Sequence, residues 1–193
     1  MNIVLKEIIL VLIAYWIGSF SFARILSKIF RNINIYKVGN FIADASNVYH
    51  NVSKPLGILI WLLDFLRIYI SLWITHLIFL KHEPELLLLV GFSMTIGHCF
   101  PIMHNFKGGR GVVAYSALLF YFAPLPTFIV GIASLLIALL FHQARFSQYM
   151  MVILVPIACY IFKTGKVWAR YLLLTSIIMG IINYFVSKRY GEI

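Results

Sequence analysis

The chain of 193 residues is 62% hydrophobic and only 11% charged, and its formal charge of +10 comes from 16 lysines and arginines against 6 acids. A soluble domain is about 45–50% apolar and about 25% charged, so this excess cannot be buried in one small core, and a water-soluble fold is excluded. The basic balance then belongs to loops that meet anionic lipid headgroups, because no soluble basic face remains to bind nucleic acid.

Apolar runs predict an all-α, polytopic transmembrane helix bundle of about seven spans, at 3–22, 56–80, 86–104, 112–122, 127–140, 148–162 and 167–186. The first run opens like a secretory leader, with Lys6 before the apolar stretch and Ser21-Phe22-Ala23 after it. Glu7 fits a leader badly and further spans follow, so the run is read as a retained helix. Region 24–54 mixes Asn, Asp, Ser and Lys with Ile, Phe and Tyr, and is expected to form an interfacial helix and a loop on the inner leaflet. Ser19, Ser46, Asn47 and Asn51 lie near that side; such residues bind a polyol or cap helices, capping being the commoner role.

The second span holds Asp64 and Arg67, three residues apart and able to pair on one helical face. Charges at such depth are costly and face the protein interior. They form either a wall of a site or a self-neutralised structural pair.

The stretch Gly97-His98-Cys99-Phe100-Pro101 through Phe106-Lys107-Gly108-Gly109-Arg110-Gly111 carries the most chemistry. Glycines let successive backbone N–H groups turn into a concavity, and a helix starting near Val112 adds its positive end. Lys107 and Arg110 bring charge, the arginine with bidentate geometry. These parts describe a phosphate cradle, although not a Walker A loop, which would end in Gly-Lys-Ser/Thr. A tight turn with ordinary positive-inside residues is the other reading. His98 and His104 are six apart, share no helix face and have no third ligand near, so no metal is expected.

The fourth, fifth and sixth spans are short for a bilayer of about 30 Å and are expected to tilt or to pack within the bundle. Ala123-Pro124-Leu125-Pro126 is expected to be an uncharged outer loop, and Cys99 and Cys159 to be small buried hydrophobes. No repeat or linker divides residues 1–193, which form one integral membrane domain. With the N-terminus outside, ten basic residues (Arg24, Lys28, Arg31, Lys37, Lys54, Lys107, Arg110, Arg145, Lys188 and Arg189) lie inside. Only Lys81, Lys163, Lys166 and Arg170 lie outside, as the positive-inside rule requires.

The sequence resembles the PlsY family, the bacterial acyl-phosphate:glycerol-3-phosphate acyltransferases of the inner membrane. That family carries Gly-His-x-Phe-Pro, a spacer and Phe-Lys-Gly-Gly-Lys-Gly, which here becomes residues 97–111 with Arg110 for the second lysine. Tyr15-Trp16-Ile17-Gly18-Ser19-Phe20-Ser21-Phe22 is similar to its Tyr-x-x-Gly-Ser-x-Pro-Phe, with Ser21 for proline, and Leu63-Asp64-Phe65-Leu66-Arg67 to its Leu-Asp-x-x-Lys. The family's Gly-Ser-Gly-Asn-Ile-Gly-Ala-Thr-Asn, linked to glycerol 3-phosphate, appears as residues 39–47 with Phe41 and Asp44 where glycines stand. Phe41 is expected to crowd a phosphate, and Asp44 to repel one if it points inward. Arg145 matches the arginine of a third motif whose serine is Gln148 here, and the C-terminal Arg-His-x-x-Asn is missing.

The resemblance implies a cofactor-free acyltransferase of the cell inner membrane that uses acyl phosphate and glycerol 3-phosphate and works among membrane lipid. Lys107, Arg110 and His98 would be catalytic. Gly108, Gly109, Gly111, Ser19, Ser46, Asn47, Arg67 and Arg145 would bind substrate. The altered acceptor motif keeps open a non-catalytic lipid- or phosphate-binding protein of the same fold. A small-anion transporter is disfavoured by the lack of an inverted repeat and the few intramembrane charges. Oligomeric state and acyl-chain preference are not legible.

Overall fold

The computed structural model describes residues 3–78, 84–141, 144–162 and 166–190, and all regular structure among them is helical. In chain order, α1 (Ile3–Ser19) leads into α2 (Phe22–Arg31), a 3-10 turn at Ile35–Lys37, α3 (Ala45–Asn51) and α4 (Lys54–Ile78). Then come α5 (Pro84–Cys99), a second 3-10 turn at Ile102–His104, α6 (Val112–Phe122), α7 (Pro124–Phe141), α8 (Ala144–Ile161) and α9 (Lys166–Arg189).

Among the described residues, five stretches are long and apolar enough to cross a membrane: Val4–Arg31, Lys54–Ile78, Glu85–His104, Pro124–Phe141 and Trp168–Arg189. Their outer faces are apolar; α1, for instance, turns Leu5, Ile8, Leu12 and Trp16 outward. Such a surface is at home in lipid, and helices satisfy their own backbone there. The expected outer loop at 123–126 is overturned, because Pro124 and Pro126 lie in the first turn of α7. A missing N–H is harmless in a first turn, whose N–H groups have no intrahelical partner. α6 is short because it is central: Ala114 through Leu119 are all buried.

α1 packs along α5. Gly18 lies on the backbone of Met94, and Gly97 on the backbone carbonyl of Tyr15 and on Ser19, so a side chain at either position would force the helices apart. Small residues allow this close approach, which does for helices in lipid what hydrophobic burial does in water. Ser93 Oγ donates to the Val11 carbonyl at 2.9 Å. Tyr15 Oη donates to the Phe100 carbonyl at 2.5 Å and accepts from the Ile102 N–H at 3.1 Å, which ties the chain beyond α5 to α1.

The expected interfacial region is a folded layer. Ser21, where the family has proline, caps α2 by accepting from the Arg24 N–H at 3.3 Å. Ala23, Ile35, Ala43, Ala45, Val48, Leu56 and Ile60 form a small core of their own beneath this layer, separate from the main bundle core.

Candidate active site

The glycine-rich segment joins α5 to α6, and several of its amides are paired within the chain. Asn105 and Phe106 are in the left-handed region, at φ 53° and 56°. The N–H groups of Phe106, Lys107 and Gly109 donate to the carbonyls of Pro101, His104 and His98, each at 3.0 Å. Gly108 and Gly109 are needed for clearance instead: a Cβ on Gly108 would strike the carbonyls of His98 and Cys99, and one on Gly109 the ring of His98. Only Gly111, at φ 76°, needs glycine for its conformation, and it opens α6 with no capping side chain. The uncapped first turn of α6 is therefore the anion-attracting feature.

Gly108, Gly109, Arg110 and Gly111 are buried, whereas Lys107 is exposed. The loop is held from outside by two residues that the sequence gave no reason to single out. Tyr36 Oη donates to the Lys107 carbonyl at 2.9 Å, and Arg189 donates to the Phe106 carbonyl at 2.7 Å. Burial pushes the Tyr36 phenol up to about 12, so it keeps its proton and remains a donor at neutral pH.

Asn47 is buried, and its amide donates to the carbonyls of Val38 and Ile42 at 3.0 and 2.8 Å, winding the segment before α3 around itself. Asn51 donates to Asn47 Oδ1 at 2.9 Å. Asn47 thus builds the acceptor-side loop, and its amide faces backbone. Asp44 caps α3, accepting the Asn47 N–H at 2.8 Å, a role signalled by an acid three residues before that amide. Phe41 has φ 61°, the left-handed geometry that suits the glycine of the resembled motif, and its ring is half exposed. A phenylalanine in this conformation also brings backbone strain.

Asp64 and Arg67 do pair, with Arg67 Nη2 3.0 Å from Asp64 Oδ1. The same nitrogen lies 3.1 Å from His98 Nδ1, Nη1 donates to the Phe20 carbonyl, and the guanidinium sits 5.5 Å over the Phe22 ring. Arg67, expected at the acceptor phosphate, is turned toward these groups. Ser19 is buried and donates to the Tyr15 carbonyl at 2.8 Å within α1. Arg145 lies in α8, but its side chain falls outside the described residues.

A cavity of about 700 Å³ runs between α3, α4, α6, α7 and α8. Its lining is mostly apolar, with Trp61, Phe65, Phe120, Phe128 and Leu135, and it includes Ser46, His50 and Gln148 as well as Val112, two residues beyond Arg110. Its volume is in the ordinary range of roughly 300–1,000 Å³ for ligand sites. Ser46 and Gln148, distant in sequence, thus line one cavity.

The fold and site define an integral membrane helix bundle whose buried glycine loop opens beside an apolar groove, a shape suited to a molecule with an anionic head and a hydrocarbon tail. Residues 8–190 match the sequence profile of the family described as glycerol-3-phosphate acyltransferase, and the chain belongs to that family. It is 30% identical over 176 residues to the glycerol-3-phosphate acyltransferase of Rhizobium etli, covering 91% of this chain and 82% of the relative. It is 37% identical over 130 residues to glycerol-3-phosphate acyltransferase 1 of Lactobacillus acidophilus, a match that covers 67% of this chain and 60% of that protein. The crystal structure of PlsY, an integral membrane glycerol 3-phosphate acyltransferase, in its glycerol 3-phosphate form superposes with a TM-score of 0.81. That likeness covers 97% of this chain and 90% of PlsY at 24% identity, and it establishes the fold.

Proposed function

We propose that this protein transfers a fatty acyl group from acyl phosphate to the 1-hydroxyl of glycerol 3-phosphate, forming lysophosphatidic acid for phospholipid synthesis. The observation that carries the reading is that the buried loop at 108–111 runs directly into Val112, which lines the apolar groove. The acyl chain lies in the groove and its phosphate at the first turn of α6, beside Arg110. The acceptor hydroxyl attacks the acyl carbonyl carbon, the C–O bond to phosphate breaks, and the phosphate departs with the electron pair and takes up the hydroxyl proton. Arg110 and Lys107 neutralise the charge that gathers on it, and the loop fixes its orientation. The mixed anhydride is already activated, so the attack needs no covalent enzyme intermediate. Ser46, Gln148 and Arg145 are assigned to the acceptor side; Asn47 shapes that side through the backbone it holds. The end of the bundle carrying residues 20–53 and 100–111 faces the cytoplasm, with the N-terminus outside the inner membrane, as the distribution of basic residues favours.

Purified protein in liposomes, given a long-chain acyl phosphate and labelled glycerol 3-phosphate, yields labelled lysophosphatidic acid. Lys107→Ala lowers turnover by roughly 10²-fold or more, the loss seen when one charge-stabilising group is removed. The strained Phe41 and the acid at position 44 favour a second reading, a lipid-phosphate-binding protein without turnover. Bound acyl phosphate with no product supports that second reading and defeats the first.

A further inference from the structure

The Asp64–Arg67 pair has no direct place in the reaction proposed above, yet it is aimed at His98, whose ring packs against the glycine loop that the reaction uses. Arg67 Nη2 sits 3.0 Å from Asp64 Oδ1 and 3.1 Å from His98 Nδ1. Nη1 also donates to the Phe20 carbonyl, and the guanidinium carbon lies 5.5 Å over the Phe22 ring. A guanidinium donates hydrogen bonds and accepts none. The His98 nitrogen it meets must therefore present a lone pair, and a neutral imidazole with a lone pair on Nδ1 carries its proton on Nε2. Nε2 is the ring atom packed against Gly109, where a Cβ would strike it. The His98 carbonyl accepts the Gly109 N–H at 3.0 Å, so ring and loop are fixed to each other twice.

We propose that Asp64 and Arg67 are positioning residues that hold His98 in its Nε2–H tautomer, so that His98 serves the loop at 108–111 as a hydrogen-bond donor to bound phosphate and not as a proton acceptor. Asp64 orients the guanidinium, the guanidinium selects the tautomer, and the histidine delivers the donor. The inference rests on the reaction proposed above only for its substrate; the tautomer itself follows from the geometry of three side chains.

The test is a long-range proton–nitrogen spectrum of the protein labelled with nitrogen-15 histidine in lipid nanodiscs, with His98 assigned by the signals lost in His98→Gln. At neutral pH, His98 should show a protonated Nε2 and a lone-pair Nδ1, and inorganic phosphate should shift the Nε2–H signal. A proton on Nδ1, protons on both nitrogens, or an Nε2–H signal indifferent to phosphate overturns the proposal. In liposomes, Arg67→Met should lower kcat by roughly 10²-fold and broaden or move the His98 nitrogen signals. Arg67→Lys, another donor without an acceptor, should keep the tautomer and most of the rate. An Arg67→Met enzyme with unchanged spectrum and rate also overturns it; if that variant does not fold, the wild-type spectrum and Arg67→Lys decide. Protein that makes no lysophosphatidic acid while showing the phosphate-sensitive Nε2–H signal defeats the proposed reaction and leaves the tautomer assignment standing.

Discussion

Phe41 shows how one residue can carry a family's geometry after the family's side chain is gone. Its φ of 61° is a conformation that costs an ordinary residue about 1–2 kcal/mol and glycine almost nothing. The loop nonetheless keeps it, because Asn47 holds the Val38 and Ile42 carbonyls on either side. Phe41→Gly should therefore raise the protein's thermal stability, by about 1 kcal/mol after allowance for the greater freedom of glycine in the unfolded chain. The same variant should lower KM for glycerol 3-phosphate in the liposome assay. Unchanged stability would mean that the strain is relieved elsewhere. Asp44 teaches the complementary lesson. Its charge suggested repulsion of a phosphate, but its position three residues before the Asn47 amide makes it the cap of α3. The motif spacing was in the sequence; which role the carboxylate takes depended on where α3 begins.

At the scale of elements, the bundle is closed by polar contacts that repair breaks in single helices. Pro156 lies inside α8 and has no N–H to give to the carbonyl four residues earlier, that of Val152. Ser176 on α9 supplies the missing donor, with its Oγ 2.8 Å from that carbonyl. Tyr115 of α6 joins the same cluster, 2.9 Å from both Ser176 Oγ and Thr175 Oγ1. Ser176→Ala should destabilise the protein by about 1 kcal/mol. The loss should shrink in a Pro156→Ala background, where the backbone makes its own bond again, and a double-mutant cycle on thermal unfolding measures the difference. Full additivity would show that Ser176 serves the Tyr115 cluster and not the proline gap. The helices themselves were legible as apolar runs, because hydrophobicity is a local property. The start of α7 was not, since a proline in a first turn and a proline in a loop look alike in sequence.

At the scale of the whole molecule, the groove lies next to the glycine loop because α6, which that loop opens, lines it together with α3, α4, α7 and α8. The groove's length should then set the acyl chains accepted. Gly131 lines it, and a Cβ there would meet only Met151 Cε at 3.5 Å, ordinary contact that leaves room for a side chain to enter the groove. Gly131→Leu should lower transfer from a long-chain acyl phosphate about tenfold or more, the scale of one or a few misplaced methylenes, while a short-chain donor is used nearly as before. Equal losses for both donors would place the acyl chain elsewhere.

Composition alone made this a membrane protein, since 62% apolar residues in 193 cannot be hidden from solvent in one core. The order of Gly97, His98, Lys107, Gly108, Gly109, Arg110 and Gly111 pointed to where its chemistry lies. Both are local properties of the chain, carried by hydropathy and residue spacing. Tertiary packing alone decided that Gly108 and Gly109 provide clearance, that Arg67 turns to His98, and that Ser46 and Gln148 line one cavity. Each of those depends on distances between residues far apart in the chain, which are set only when helices close on one another.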